Sequence, residues 1–206
     1  MKEYPKIESL YDRDEQTHKF IIGNFRLPEF VYLYDNQWLL TEKVDGTNIR
    51  VGWDGERVTI GGRTDRASIP TFLLNVLAEK FVPALFEEGG MPPCCLYGEG
   101  YGAKIQKGGG NYIPDGVDFV LFDVLVGEWW LRWNDIMDVA RKLTVKVVPL
   151  LGNKSLEAAE VLVAGGFSSA WGWFPAEGLV CRPQVDLRCR NGDRVIVKLK
   201  TKDFGR

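Results

Sequence analysis

Short β-rich runs separated by glycine turns, with no regular strand–helix–strand repeat, limit this chain more than any other feature. Residues 38–43 and 47–53 read as strands, and Asp54-Gly55 is a tight-turn signal leading into a third strand over 57–60. Ser68 then precedes Pro70, an N-cap with proline in the first helical turn. Ile69, Phe72, Leu73, Val76 and Leu77 recur at helical spacing, which predicts a helix over 69–81. Two buried strands, 96–101 and 119–126, flank a glycine-rich loop from 102 to 116. Helices are expected over 134–143 and 155–164, the second stopped by Gly165-Gly166. Strand signals over 178–182, 185–190 and 194–200, with Asn191-Gly192 as a turn, predict a closing hairpin. The expected class is α+β, mostly antiparallel sheets with flanking helices.

At 206 residues, with no linker or repeat, the expectation is a single domain spanning 1–206. Apolar residues are 45% and charged residues 26%, enough for a packed core. The net charge of −2 excludes a generally basic, nucleic-acid-coating protein. Locally, residues 182–206 carry eight Lys or Arg, from Arg182 to Arg206, against three acids. That stretch is either a phosphate-facing surface or a solvated strand face. Cys94, Cys95, Cys181 and Cys189 lack C-x-x-C spacing, and His18 is the one histidine, so zinc and Ser-His-Asp chemistry are both disfavoured. The start lacks an apolar signal segment, and no apolar run reaches membrane-spanning length. A cytoplasmic protein with no membrane partner is expected.

Four short patterns can carry chemistry. Lys43-Val44-Asp45-Gly46-Thr47-Asn48 falls between two strands, where Gly46 allows a sharp turn exposing the lysine; taken alone, it is equally a plain turn. In Tyr97-Gly98-Glu99-Gly100-Tyr101-Gly102 the glycines permit close approach of a ligand to the backbone while Glu99 projects a carboxylate. Glu177 stands at the start of a strand, 177–182. In Lys198-Leu199-Lys200 a period of two puts both lysines on one face with Leu199 in the core; the two cations call for solvent or a shared anion. Trp171-Gly172-Trp173-Phe174 precedes Glu177 in a loop whose composition suggests exposure. Lys104 and Lys107 face phosphates or solvent, and the segment 1–37 offers cations but no motif.

Taken in order, these patterns resemble the covalent nucleotidyltransferase superfamily of ATP-dependent ligases and capping enzymes: Lys-x-Asp-Gly, Tyr-Gly-Glu, Phe-Asp in an apolar strand, Glu-Gly-x-Val-x-Arg, then Lys-x-Lys. Thr47-Asn48 and Gly62-Arg63-Thr64-Asp65 fit its RNA ligase branch, of the phage T4 RNA ligase 2 type, over about residues 38–200. The resemblance implies a nucleotidyltransferase (ATP-grasp-like) adenylylation domain. Lys43 matches the lysine that attacks the α-phosphate of ATP, expels pyrophosphate and holds AMP covalently. Lys198 and Lys200 match phosphate-binding catalytic cations, which would also lower the pKa of Lys43. Glu99 and Arg63 match residues holding the ribose and the strand end. Phe122 matches an adenine-stacking aromatic, with a core phenylalanine as the other reading. Glu177 matches a ligand of Mg2+ or Mn2+. Asp45 and Asn48 match residues that support the lysine and contact strand termini, and the backbone around Glu42 and Val44 is the candidate reader of the adenine edge. Arg182, heading the basic stretch, is the further nucleic-acid candidate.

The implied activity is joining of 3′-hydroxyl and 5′-phosphate ends in nicked or broken RNA, or in an RNA/DNA hybrid, by a monomer acting in RNA repair. A minimal DNA ligase and a ligase-like domain that binds nucleic-acid ends and needs a partner to seal remain alternatives. Only six residues follow Lys200, so no C-terminal OB or helical domain is expected.

Overall fold

The structure, a computed structural model, describes residues 1–204. Arg206, counted above in the basic stretch, lies outside the described residues. In chain order the elements are β1 (Glu8–Ser9), β2 (Tyr11–Arg13), β3 (Phe20–Phe25), α1 (Pro28–Tyr32), β4 (Trp38–Glu42), β5 (Thr47–Trp53), β6 (Val58–Gly62), α2 (Thr71–Lys80) and α3 (Pro83–Glu88). There follow β7 (Cys94–Gly102), β8 (Val117–Val126), β9 (Trp129–Trp130), α4 (Trp133–Lys142), β10 (Lys146–Val147), β11 (Leu150–Lys154), α5 (Leu156–Gly165), β12 (Gly178–Pro183) and β13 (Val197–Lys200). They divide into two compact units. The first comprises Met1–Tyr4 with Asp45–Val148, the second Pro5–Val44 with the residues from Pro149 on.

The first unit is built on a sheet of order β10-β8-β7-β5-β6, with β9 added to β8; only the β10–β8 pairing is parallel. Strand alternation sends Ile49, Val51, Leu96, Phe119 and Leu121 to one face, where Leu73 and Leu77 of α2 and Ile136 and Val139 of α4 cover them. The alternation breaks once. Tyr97 pairs with Asp123 and Gly98 with Leu121, so Phe122 is the extra residue of a β-bulge. Core positions of β8 accordingly shift from Phe119 and Leu121 to Val124. Gly98 and Gly100 are filled from inside the protein: a Cβ there would lie 2.2 Å from the Phe119 ring and 2.6 Å from Leu73 Cδ2. These glycines admit core side chains, not a ligand, which corrects the sequence reading.

The second unit holds a sheet of order β1-β13-β12-β4-β11, antiparallel except for β1 on β13, and the separate β2–β3 pair. Its core joins Trp38 and Leu40 of β4, Leu179 and Cys181 of β12, and Val197 and Leu199 of β13 to Leu156, Ala159 and Val163 of α5. Helix α5 starts as expected: Ser155 Oγ accepts from the Ala158 N–H at 3.1 Å, and Gly166, at φ 74°, ends it.

Two expectations need correction. Pro70 itself is the N-cap of α2, without a side-chain cap; its extended backbone starts the helix at Thr71 and leaves Ser68 outside. The closing hairpin is reduced to a single bridge between Arg188 and Arg194, and 185–190 form no strand. Backbone bonds still close the turn, from Cys189 N–H to Asp193 O at 2.7 Å and from Val195 N–H to Leu187 O at 2.9 Å, and local side-chain bonds add to them: Arg194 Nε donates to Asp186 Oδ1 and Asp193 N–H to Asn191 Oδ1. Elements β1 to β3, β9 to β11, α1 and α3 were not signalled, being short and without clear periodicity.

Candidate active site

Within the second unit, Lys43 follows the last residue of β4, and its backbone N–H donates to Gly178 O at 2.9 Å, docking it on the first residue of β12. Its Nζ donates to Glu177 Oε2 at 2.7 Å, while Lys200 Nζ donates to Glu177 Oε1 at 2.6 Å. One carboxylate thus bridges two predicted lysines, Lys43 and Lys200, which come from two different motifs. Leu199 is fully buried between Lys198 and Lys200 as the period of two requires, and Lys198 is in register with Val180 and Ser9. Burial, then Lys200 and Lys43, push the Lys198 ammonium below the usual lysine range.

The flanking residues differ from their sequence reading. The Glu42 N–H donates to Pro149 O, and its carboxylate is buried, accepting from Ser169 Oγ at 2.5 Å and the Ala170 N–H at 2.8 Å. Burial raises its pKa and these two hydrogen bonds oppose the rise. Glu42 therefore braces the loop at 168–175 behind Lys43. Val44 is buried as well. Arg182 is buried in β12, apart from the exposed Arg188, Arg190 and Lys202 of the basic stretch, which removes it as a surface phosphate contact. A polar groove of about 1080 Å³ within this unit is lined by Lys198, Lys200 and Lys202 together with Lys6, Arg13 and Arg26. The last three are paired with acids of the same groove, Lys6 with Glu8, Arg13 with Asp203 and Arg26 with Glu8 and Asp12.

Within the first unit, Gly46 matters for close approach. A Cβ there would lie 2.4 Å from Gly100 O, and Gly46 is not among the positive-φ glycines, so the expected special turn is not what requires it. The Asp45 N–H donates to Tyr112 Oη at 3.2 Å, and Gln106 Nε2 donates to Gly46 O at 3.0 Å, so the glycine-rich loop holds the motif's second half. Asn48 lies directly opposite Glu99 in the β5–β7 ladder. The Asn48 Oδ1 is buried without a hydrogen-bond partner, an acceptor suited to a ligand donor. Phe122, half-buried on the face turned away from the core, meets Tyr4 edge-on with ring centroids 5.1 Å apart. It is not a core phenylalanine. Arg63 is exposed just beyond β6.

Arg50, which the sequence reading passed over, shapes the turn that carries Arg63. Its fully buried guanidinium donates to Gly62 O at 2.6 Å, Met1 O at 3.0 Å and Asp65 Oδ1 at 2.8 Å. Five donors in a rigid fork suit such a three-way clamp, and a lysine cannot reproduce it. Arg50→Ala should cost about 3 kcal/mol of stability, from lost charge-assisted bonds and carbonyls left unpaired, with Arg50→Lys recovering only part; urea denaturation measures both.

Three comparisons bear on this arrangement. A family model described as RNA ligase matches residues 36–200. No curated protein matches the chain by sequence. Among solved structures, a mutant of Naegleria gruberi RNA ligase with AMP and Mn is similar at TM-score 0.67 and 19% identity, covering 98% of this chain and 58% of that one. A mutant of the same ligase with ATP and Mn gives 0.65 and 19%, covering 98% and 58%, and the ligase with PPi gives 0.66 and 20%, covering 98% and 62%. The chain thus spans about three-fifths of the length of these structures, and the likeness establishes a common α+β fold. Since the family match runs from just before β4 to the last residue of β13 and takes in every motif named above, the chain belongs to the RNA ligase family.

Proposed function

We propose that this protein is an ATP-dependent RNA ligase that forms a covalent lysyl-AMP at Lys43 and uses it to join 3′-hydroxyl and 5′-phosphate RNA ends. One observation carries the reading: Glu177 holds both Lys43 and Lys200, bringing together three motif residues drawn from distant parts of the sequence. The proposal treats 1–206 as one adenylylation domain, a cytoplasmic monomer acting in RNA repair. Among the described residues no helix is long and apolar enough to cross a membrane.

In this reading the first step forms a bond from Lys43 Nζ to the α-phosphorus of ATP and breaks the bond to the bridging oxygen, releasing pyrophosphate. The Nζ proton has to leave, and Glu177 Oε2 lies within hydrogen-bond reach of it. Lys198 and Lys200 face the same side of β13 and offset phosphate charge during in-line displacement. Asn48, Glu99, Arg63 and Phe122 of the first unit are assigned to adenosine and to the strand end, and Asp45 to supporting the lysine. A divalent metal fits the donor set. Glu177 offers hard carboxylate oxygens, and among the described residues no cluster of three or more His, Cys, Asp or Glu stands ready to cage an ion. One carboxylate, with phosphate oxygens and water, suits Mg2+ or Mn2+, which would supply further charge neutralisation. The ATP, AMP, PPi and Mn carried by the Naegleria gruberi structures support this choice of nucleotide and metal.

The test is incubation with labelled ATP and Mg2+, then denaturing electrophoresis; label retained on the wild-type chain supports the reading, and its absence refutes it. Lys198 gives a second check. Its charged form is disfavoured in the fold, so the cost is fully present below its lowered folded pKa and is relieved as pH rises towards the usual lysine value. Lys198→Met should therefore raise Tm near neutral pH, by about 2–4 °C if the gain is about 1 kcal/mol, while adenylylation falls. The Tm advantage should shrink in a thermal-unfolding series run towards alkaline pH.

A further inference from the structure

In the second unit, the loop between α5 and β12 holds Trp173 fully exposed. Single exposed apolar residues are ordinary, and the ring alone would mean little. Its mount is not ordinary. Ser168 and Pro175 bridge across the loop, the Ser169 N–H donates to Phe174 O at 2.8 Å, and the Phe174 N–H donates to Gly172 O at 2.9 Å. The base is fastened to the buried Glu42 carboxylate through Ser169 and Ala170, and the Trp171 N–H donates to Ser169 Oγ at 3.1 Å. A buried carboxylate is costly to maintain, and here it accepts from Ser169 and Ala170 of this loop. These bonds hold the backbone of the segment, from which the Trp173 ring stands in solvent.

The two ends of the mount are close in sequence to the chemistry. Glu42 immediately precedes Lys43, and Trp173 stands four residues before Glu177. We infer that the Trp173 ring is a stacking platform for a nucleobase of the RNA strand. The inference rests on the ligase reading and adds to it a subsite that none of the motif residues supplies. A strand is favoured over a protein partner for two reasons. The ring is a lone flat surface, since Trp171 and Phe174 on either side are half-buried. The same unit also carries the exposed cations Arg190 and Lys202 of the basic stretch, suited to the strand's phosphates. Stacking is tolerant of sequence, as end joining requires.

The experiment measures affinity for a fluorescently labelled nicked RNA duplex by anisotropy, using the whole chain and its Trp173→Ala and Trp173→Phe variants over a salt series. Losing a base–aromatic stack should weaken binding about 5- to 150-fold in Trp173→Ala, while Trp173→Phe stays within about 3-fold of wild type. The lost contact carries no charge, so the slope of affinity against salt should not change, whereas loss of a phosphate contact would flatten it. Thermal unfolding should be the same for all three proteins. Wild-type affinity in Trp173→Ala overturns the inference. So does a loss confined to ATP binding, which would give the ring to the mononucleotide, or a loss confined to self-association, which would give it to a second copy. If the wild-type chain takes no label from ATP, the ligase reading itself fails; if it takes label and binds RNA equally well with and without Trp173, only this inference falls.

Discussion

Lys43→Ala abolishes covalent labelling by ATP, and Lys43→Arg does so equally. The arginine variant is the sharper of the two, because a guanidinium keeps the positive charge beside Glu177 but stays protonated and cannot attack phosphorus. The prediction is not a formality, since acid–base considerations alone would favour a different residue. Lys198 has its charged form destabilised by burial and by two neighbouring cations, which makes it the readier source of a free amine. Lys43 and Lys200 both lie against a carboxylate. The assignment to Lys43 rests on its place directly before Val44-Asp45-Gly46 and on its contact with the carboxylate that also holds Lys200. Tryptic mass spectrometry after ATP treatment separates the two: AMP should be found on the peptide containing Lys43. AMP on the Lys198 peptide, or label surviving in Lys43→Ala, would overturn it.

The legible part of this molecule was the part governed by period and order. Lys198-Leu199-Lys200 alternated as a strand must, with Leu199 fully buried, and Glu177 ties Lys200 to Lys43. What that reading could not reach was long-range. Nothing near Gly98 or Gly100 tells a reader that Phe119 and Leu73, distant in sequence, occupy the space, so room for a side chain was taken for room for a ligand. Phe122 sits in an apolar run that reads as core on both sides; it follows core Leu121 onto the other face, and the bulge opposite Gly98 then returns Val124 to the core. Arg50 alternates with core residues in β5 and looks like a solvated strand charge, yet three acceptors from Met1, Gly62 and Asp65 bury it. In the last hairpin the expectation ran too long: the Asn191-Gly192 turn is closed by backbone bonds from Cys189 to Asp193 and from Val195 to Leu187, but the pairing amounts to the one Arg188–Arg194 bridge and no extended ladder forms.

Glu177→Gln and Glu177→Ala should each reduce the adenylylation rate by about 30- to 1000-fold, the effect of about 2–4 kcal/mol in transition-state stabilisation. The carboxylate faces lysine ammoniums rather than the apolar core, with both lysine side chains about one-fifth exposed and on flexible stems. Once the carboxylate is gone, those cations can turn to water, so Tm should fall by less than about 4 °C. Glutamine keeps the size of the side chain and one carbonyl oxygen, and that makes it informative about what the carboxylate does. If Glu177 holds a metal as well as two lysines, Glu177→Gln should shift the half-saturating Mg2+ concentration upward and regain part of its rate at high Mg2+ or with Mn2+. Lys200→Ala removes a cation and leaves the carboxylate in place, so it should lose a comparable share of rate without that shift. A metal titration of the three proteins therefore divides the two jobs of one side chain. A Glu177→Gln rate that falls only in proportion to Tm, at an unchanged metal requirement, would make the bridge between Lys43 and Lys200 a structural tie.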